Sequence, residues 1–176
     1  TRNCGKRTLA ASERIPMKPA PFHYECPGSL DEALALLSSE PEGNARVLAG
    51  GQTLVASVAR RTIRPRLLVD VMKCGWDEGV SISEGRVVLG GGLRQLTAEK
   101  SPLLASVCPL LPDALKFVAI PQVRARGTVA GSLVQALPGG ELPVVAMVLD
   151  GEVEVWCHGT APRFMSAKDL YRNPTG

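Results

Sequence analysis

One stretch decides how this chain is interpreted: Ala45-Arg46-Val47-Leu48-Ala49-Gly50-Gly51-Gln52-Thr53-Leu54. Its apolar first half, 45–49, is typical of a short strand, and the paired glycines interrupt that strand. Residues 52–61 then favour a helix. Backbone amides exposed at such a glycine turn, ahead of a helix, bind phosphate groups. The stretch therefore predicts either a phosphate-binding turn or an ordinary connection between a strand and a helix.

The elements around this turn predict a first α/β lobe. The segment from Ser29 to Glu32 fits a capping box, and the helix that it opens ends at the segment 41–44. Residues 67–71 predict a second, mostly buried strand. Together these segments form a β-α-β unit that follows a leading helix. We expect the first lobe to cover residues 17–76.

A different pattern follows and predicts a second lobe over residues 77–176. Segments 80–83 and 86–89 alternate around Glu84-Gly85, as in a β-hairpin. Residues 94–118 predict helices that three prolines interrupt. Later segments complete this lobe with a helix over 142–149, a half-exposed strand over 152–158 and a last short helix from 166 to 171. The mixed order of strands and helices indicates an α+β fold with two lobes.

The charge of the chain is concentrated at its start. The 20 Lys and Arg residues exceed the 17 Asp and Glu residues, for a formal net charge of +3. Residues 1–16 hold four basic residues and one acidic residue, so the remainder is neutral. A neutral body with three Phe, two Tyr and two Trp lacks the basic, aromatic surface of a nucleic-acid binder. No apolar run approaches the ~20 residues of a membrane span.

Residues 1–16 are expected to form a basic N-terminal extension outside the fold. They show no apolar periodicity and no apolar core of a secretory signal. We expect Met17 to be the natural start, and a basic leader containing Ser and Thr is the alternative.

The cysteines predict free thiols in a reducing compartment, and hence a cytoplasmic protein. There are five, at positions 4, 26, 74, 108 and 157, and no two form a Cys-x-x-Cys pair. With two histidines in the chain, no zinc or iron–sulfur ligand set can be assembled from these residues.

A second glycine turn lies at Arg126-Gly127-Thr128-Val129-Ala130-Gly131-Ser132-Leu133. It offers small residues and two hydroxyls in what we expect to be a row of exposed amides. Two separate turns of this kind would hold the two phosphates of one pyrophosphate from opposite lobes. This arrangement suggests a dinucleotide site of another type than the Rossmann fold, because Gly-x-Gly-x-x-Gly is absent.

Six segments occur in the order and at the spacing of one known family. They are 29–34, 47–54, 68–71, 121–124, 127–133 and 141–143. In these segments the chain resembles the FAD-binding domain of the molybdenum hydroxylases, the family of the carbon monoxide dehydrogenase medium subunit and of the xanthine dehydrogenase FAD domain. The resemblance extends from Phe22 to Tyr171.

The resemblance implies a two-lobed FAD-binding domain of the PCMH type, with FAD as the cofactor. It places the pyrophosphate and ribityl chain of FAD against 47–54 and 128–132, and an acidic residue, Glu141, near the adenosine. For Glu141, an ordinary acid at a helix N-terminus is the alternative. The implied cofactor-binding residues are Val47, Leu48, Ala49, Gly50, Gly51, Gln52, Thr53, Leu54, Val118, Thr128, Ala130, Gly131, Ser132 and Glu141. No catalytic side chain is expected, because the flavin carries the redox chemistry.

The resemblance also implies partners. A large subunit would carry molybdopterin, and a small subunit would carry [2Fe–2S] clusters. Electrons from those clusters would pass through the flavin to NAD+, a quinone or oxygen. The chain would then be the flavin-dependent subunit of an oxidoreductase.

The chain departs from the family pattern at several positions. Ile120 and Ala125 stand where a His and an Asn are usual, and Ala130 and Leu137 replace a Gly and an Asp. Family subunits also continue past Tyr171 into a C-terminal domain, and we expect the fold without that domain. These departures suggest an alternative, in which a degenerate FAD-domain fold acts as a non-catalytic assembly or interaction module.

Overall fold

A computed structural model describes residues 18–41, 43–76 and 78–172. The predictions for residues 1–16 and for Met17 lie outside the described residues.

The first part of the chain forms a three-stranded parallel sheet in the order β1-β3-β2. Its strands are β1 (His23–Glu25), β2 (Ala45–Leu48) and β3 (Leu67–Asp70). The central strand β3 is the buried one, with fully enclosed Val69 in its middle. Strand β1 was not predicted, because its three residues are exposed and show no apolar pattern. It pairs with β3 through the backbone, and the Tyr24 hydroxyl donates to the Asp70 carboxylate at 2.7 Å.

Helix α1 (Leu30–Ser39) confirms the predicted capping box with one change. The Ser29 hydroxyl accepts from the Glu32 amide at 3.2 Å, as expected for an N-cap. The Glu32 carboxylate accepts from the Gly28 amide at 3.0 Å, one residue before the amide that a standard box would use. The helix ends before Pro41, as predicted.

Helix α2 (Leu54–Ala59) is shorter than the predicted helix over 52–61. Gly51 has φ +72°, a left-handed conformation that interrupts the helical backbone before Leu54. The Val55 amide donates to the Gly51 carbonyl at 3.0 Å. Arg61, with φ +58°, lies just beyond the other end of the helix. The glycine turn is consequently longer than the sequence indicated.

The second part of the chain consists of two antiparallel hairpins and a set of short helices. The first hairpin is confirmed, and Glu84 and Gly85 both have positive φ, as a two-residue type I′ turn requires. The hairpins are β4 (Val80–Ser83) with β5 (Arg86–Leu89), and β6 (Glu152–Val155) with β7 (Arg163–Ser166). The helices are α3 (Gln95–Glu99), α4 (Pro102–Val107), α5 (Leu110–Leu115), α6 (Pro121–Arg124), α7 (Val129–Gln135), α8 (Glu141–Val148) and α9 (Ala167–Arg172).

The buried apolar residues fall into two clusters. One surrounds the parallel sheet and includes Ala33 and Val69. The other lies among the helices of the second part and contains the largest fully buried side chains. These are Leu93, Leu104, Leu115 and Leu142. Each cluster gives its half of the fold a core of its own.

Three further observations concern the described ranges. No helix there combines the length and apolarity needed to cross a membrane. No group of three His, Cys, Asp or Glu residues there is arranged to hold a metal ion. The cysteines there are free thiols, and Cys74 is buried whereas Cys157 is exposed.

Candidate functional site

The two glycine turns touch each other. A Cβ atom added to Gly50 would lie 2.5 Å from the Arg126 carbonyl oxygen and 2.7 Å from the Gly127 Cα. Those distances are too short for any side chain, so only glycine allows the two backbones to approach this closely. The fold therefore brings residues 47–54 and 126–132 together, although about 75 positions separate them in the sequence.

The first turn presents a row of unused hydrogen-bond donors. The backbone N–H groups of residues 50–54 donate to no acceptor in the described part of the chain. Gly51 supplies the left-handed conformation in this row, and successive N–H groups around such a residue point into a common concavity. The amides at a helix N-terminus have no partner within the helix, so this row is available to an external acceptor.

The side chains of the first turn leave this concavity open. Gln52 turns back on its own loop, and its side-chain Nε2 donates to the Gly50 carbonyl at 2.9 Å. The Thr53 hydroxyl makes no capping hydrogen bond at the start of α2. Val47 and Leu48 at the end of β2 are only partly covered. The turn thus has five amides and one hydroxyl that the described residues do not use.

The second turn uses most of its donors internally. The Val129 amide donates to the Leu93 carbonyl at 3.0 Å, and the Gly131 amide donates to the Thr128 hydroxyl oxygen at 3.0 Å. The Ser132 amide donates to the Thr128 carbonyl at 3.3 Å. The expected row of exposed amides is therefore wrong for this turn, because its backbone bonds stabilise α7 and its contact with Leu93. Among residues 129–132, only the Ala130 amide has no partner in the described structure.

A buried ion pair holds the segment that leads into the second turn. Arg124 Nε donates to Glu99 Oε2 at 2.6 Å, and both side chains are largely enclosed. Arg124 Nη1 also donates to the carbonyls of Val118, at 2.9 Å, and Ala119, at 3.1 Å. The Val118 side chain packs against the second core cluster. Arg124 thereby fixes the backbone at Val118, a predicted cofactor-binding residue.

Three positions where the chain departs from the family pattern lie at the surface. Ile120 is 59% exposed, Leu137 is 53% exposed, and Ala125 is exposed as well. Phe117, near Ile120 in sequence, is 78% exposed. The departures therefore leave the cores unchanged and make parts of the surface more apolar.

Glu141 is the first residue of α8, directly after the N-cap Gly140. Its carboxylate is half-buried and forms no hydrogen bond or ion pair with any described residue. This position suits an acid at a helix N-terminus, and it also leaves both oxygens able to accept from ribose hydroxyls. Both interpretations of Glu141 remain open.

Sequence reasoning missed Gln95, the first residue of α3. It is buried, with 3% of its surface exposed, and its side chain contacts the second turn. Nothing in the sequence distinguishes this glutamine from an ordinary polar residue at the start of a helix. Its importance follows only from the position that the fold gives it.

The arrangement fits the diphosphate of a dinucleotide. The first turn has a row of amides that suits phosphate oxygens, and the second turn, which is in contact with it, adds the Ala130 amide and the Ser132 hydroxyl.

The chain belongs to the family described as the FAD binding domain in molybdopterin dehydrogenase, which matches residues 20–175. It is 36% identical over 137 residues to the alpha subunit of the 6-hydroxypseudooxynicotine dehydrogenase complex of Paenarthrobacter nicotinovorans, an alignment that covers 78% of this chain and 46% of that relative. It is 33% identical over 134 residues to the carbon monoxide dehydrogenase medium chain of Hydrogenophaga pseudoflava. That alignment covers 76% of this chain and 46% of that relative.

Solved structures of related proteins are also similar to this chain. Quinoline 2-oxidoreductase from Pseudomonas putida 86 superposes with a TM-score of 0.80 at 34% identity, over 87% of this chain and 53% of that one. The chain spans about half the length of the curated relatives it matches. These similarities confirm the predicted family, its α+β fold and FAD as its cofactor.

Proposed function

We propose that this chain binds FAD between its two glycine turns and serves as the electron-transfer module of a molybdenum-hydroxylase-type oxidoreductase. The observation that carries the proposal is the row of five unpaired amides at residues 50–54, in backbone contact with the second turn. Such a row suits a diphosphate, and the family to which the chain belongs is an FAD-binding one.

The proposed roles of the residues follow from their surroundings. The amides of 50–54 and the Thr53 hydroxyl would hold the diphosphate, with Val47, Leu48 and Ala49 beside them at the end of β2. Residues Ala130, Gly131 and Ser132, positioned by the Thr128 cap, would contact the cofactor from the other lobe. We take 17–76 and 77–176 as these two lobes, with Val118 and Glu141 as further contacts in the second.

Bound FAD would supply the redox chemistry, by accepting electrons and passing them on. The chain's own residues would bind and orient the cofactor. The turn must also be glycine-rich, since a side chain at Gly50 would separate the two lobes.

The partners would be a molybdopterin-bearing large subunit and a small subunit with [2Fe–2S] clusters. Support comes from the relatives, which are subunits or medium chains of dehydrogenases, including caffeine dehydrogenase of Pseudomonas sp. and carbon monoxide dehydrogenase of Hydrogenophaga pseudoflava. A cytoplasmic location is part of the proposal and accords with the free thiols of Cys26, Cys74, Cys108 and Cys157.

Titration with FAD tests the proposal. We expect the purified chain to bind FAD and the Gly51→Val variant to bind it at least about a hundredfold more weakly, because two or more hydrogen bonds to phosphate would be lost. Gly85→Val is the matched control, since Gly85 also has positive φ and lies in the first hairpin. Retained affinity in Gly51→Val, with a normal melting temperature, would contradict the assignment of the diphosphate.

A second candidate function has one observation in its favour. The exposed apolar side chains of Phe117, Ile120 and Leu137 suit an assembly or interaction module that has lost its cofactor. A colourless chain that takes up no FAD, yet assembles with its partner subunits, would favour this alternative over the flavoprotein.

A further inference from the structure

Gln95 connects α3 to the second turn through both its backbone and its side chain. Its amide N–H donates to the Gly127 carbonyl at 2.9 Å. Its side-chain Nε2 donates to the Ser132 hydroxyl oxygen at 2.6 Å and to the Thr128 carbonyl at 3.3 Å. The side chain is buried, and its NH₂ group is paired by these two bonds, whereas its Oε1 has no hydrogen-bond partner among the described residues.

The orientation of the Gln95 amide follows from its neighbours. With the oxygen and nitrogen exchanged, Gln95 Oε1 would face the Thr128 carbonyl oxygen, and two acceptors would meet without a hydrogen between them. In the structure the NH₂ group faces the turn, and Oε1 has no hydrogen-bond partner among the described residues. The other side of the amide lies against Gly127, where an added Cβ would be only 2.9 Å from Oε1.

This orientation determines what the Ser132 hydroxyl can do. A serine in a helix usually donates to the carbonyl four residues earlier, which here is that of Thr128. That carbonyl already accepts from the Ser132 amide and from Gln95 Nε2, so both of its lone pairs are used. Ser132 Oγ itself accepts from Gln95, which leaves its single hydrogen without a partner among the described residues.

We propose that Gln95 is a positioning residue that commits the Ser132 hydroxyl to act as a hydrogen-bond donor to FAD. The inference rests on the proposed function, since it assigns a direction to one of the contacts in that site. Gln95 does not touch the cofactor in this proposal. It acts through Ser132, whose hydrogen would point to the open side of the turn because the Thr128 carbonyl behind it already accepts two hydrogen bonds.

A double-mutant cycle on the full chain tests this role, with FAD affinity from flavin fluorescence and fold integrity from thermal unfolding. We expect Ser132→Ala to weaken FAD binding about tenfold, the value of one hydrogen bond to a charged group. Gln95→Glu should do the same, because its carboxylate would accept from the Ser132 hydroxyl and turn the hydrogen inward. Gln95→Met, which removes the amide without supplying an acceptor, should weaken binding less than Gln95→Glu.

The decisive comparison is made in the Ser132→Ala background. There, Gln95→Glu and Gln95→Met should cause no further loss of FAD affinity, whatever they do to the melting temperature. Equal losses in both backgrounds would overturn the inference, because they would show that Gln95 acts on the site independently of Ser132. Failure of the wild-type chain to bind FAD is a different result and would contradict the proposed function itself.

Discussion

The two glycine turns of this protein look alike in sequence and differ in how their backbone donors are used. In the first, five successive amides at residues 50–54 have no partner in the described chain. In the second, the amides of Val129, Gly131 and Ser132 are all bonded internally. A glycine-rich motif alone therefore does not define an anion site. The hydrogen bonds that the rest of the fold imposes decide which motif remains available.

The largest effect is expected from the ion pair that holds the approach to the second turn. Arg124→Met would leave Glu99 buried without its partner and should lower the free energy of unfolding by about 3–5 kcal/mol. Lys116→Met, at an exposed ion pair with Asp113, is the control and should leave the urea midpoint nearly unchanged. Similar urea midpoints for the two variants would show that the ion pair of Arg124 with Glu99 does not stabilise the fold.

A smaller loss is expected where the two turns touch. Gly50→Ala would force the Arg126 backbone away and should cost about 1–3 kcal/mol of stability, as overpacking usually does. FAD affinity should fall with it, because the turns could no longer act on one ligand. Gly28→Ala, a position with open space around it, serves as the control in both calorimetry and FAD titration. Unchanged stability of Gly50→Ala would mean that the turns are not in contact.

A matched pair of threonines gives the smallest but sharpest test. Thr128→Val removes the cap of α7 and should lower stability by about 1 kcal/mol. Thr53→Val removes a hydroxyl with no capping bond, so it should leave stability unchanged and weaken FAD binding about tenfold. Melting curves should therefore separate the two variants, because only Thr128→Val should lower the melting temperature. If the two variants lowered the melting temperature equally, the proposed difference in how the two turns use their hydrogen-bonding groups would be contradicted.

Local patterns in the sequence predicted local structure well. The Ser29–Glu32 capping box and the Glu84-Gly85 hairpin were both confirmed, because neighbouring residues supply all of their hydrogen bonds. Strand β1 was missed because it is exposed and pairs with the distant strand β3, and β7 was missed because its sequence shows too little apolar alternation. The length of α2 was overestimated at its end because Arg61 adopts a left-handed conformation, which a hydrophobic pattern does not reveal.

The site shows the same division. The sequence by itself determined where the two glycine turns lie, which family the chain resembles and that FAD is the expected cofactor. Only the tertiary structure decided that Gly50 meets Arg126, that most amides of the second turn are occupied and that Gln95 faces Ser132. The reason is physical: the freedom of a glycine backbone is local, whereas the pairing of a hydrogen-bond donor depends on whatever distant residue the fold brings within about 3 Å.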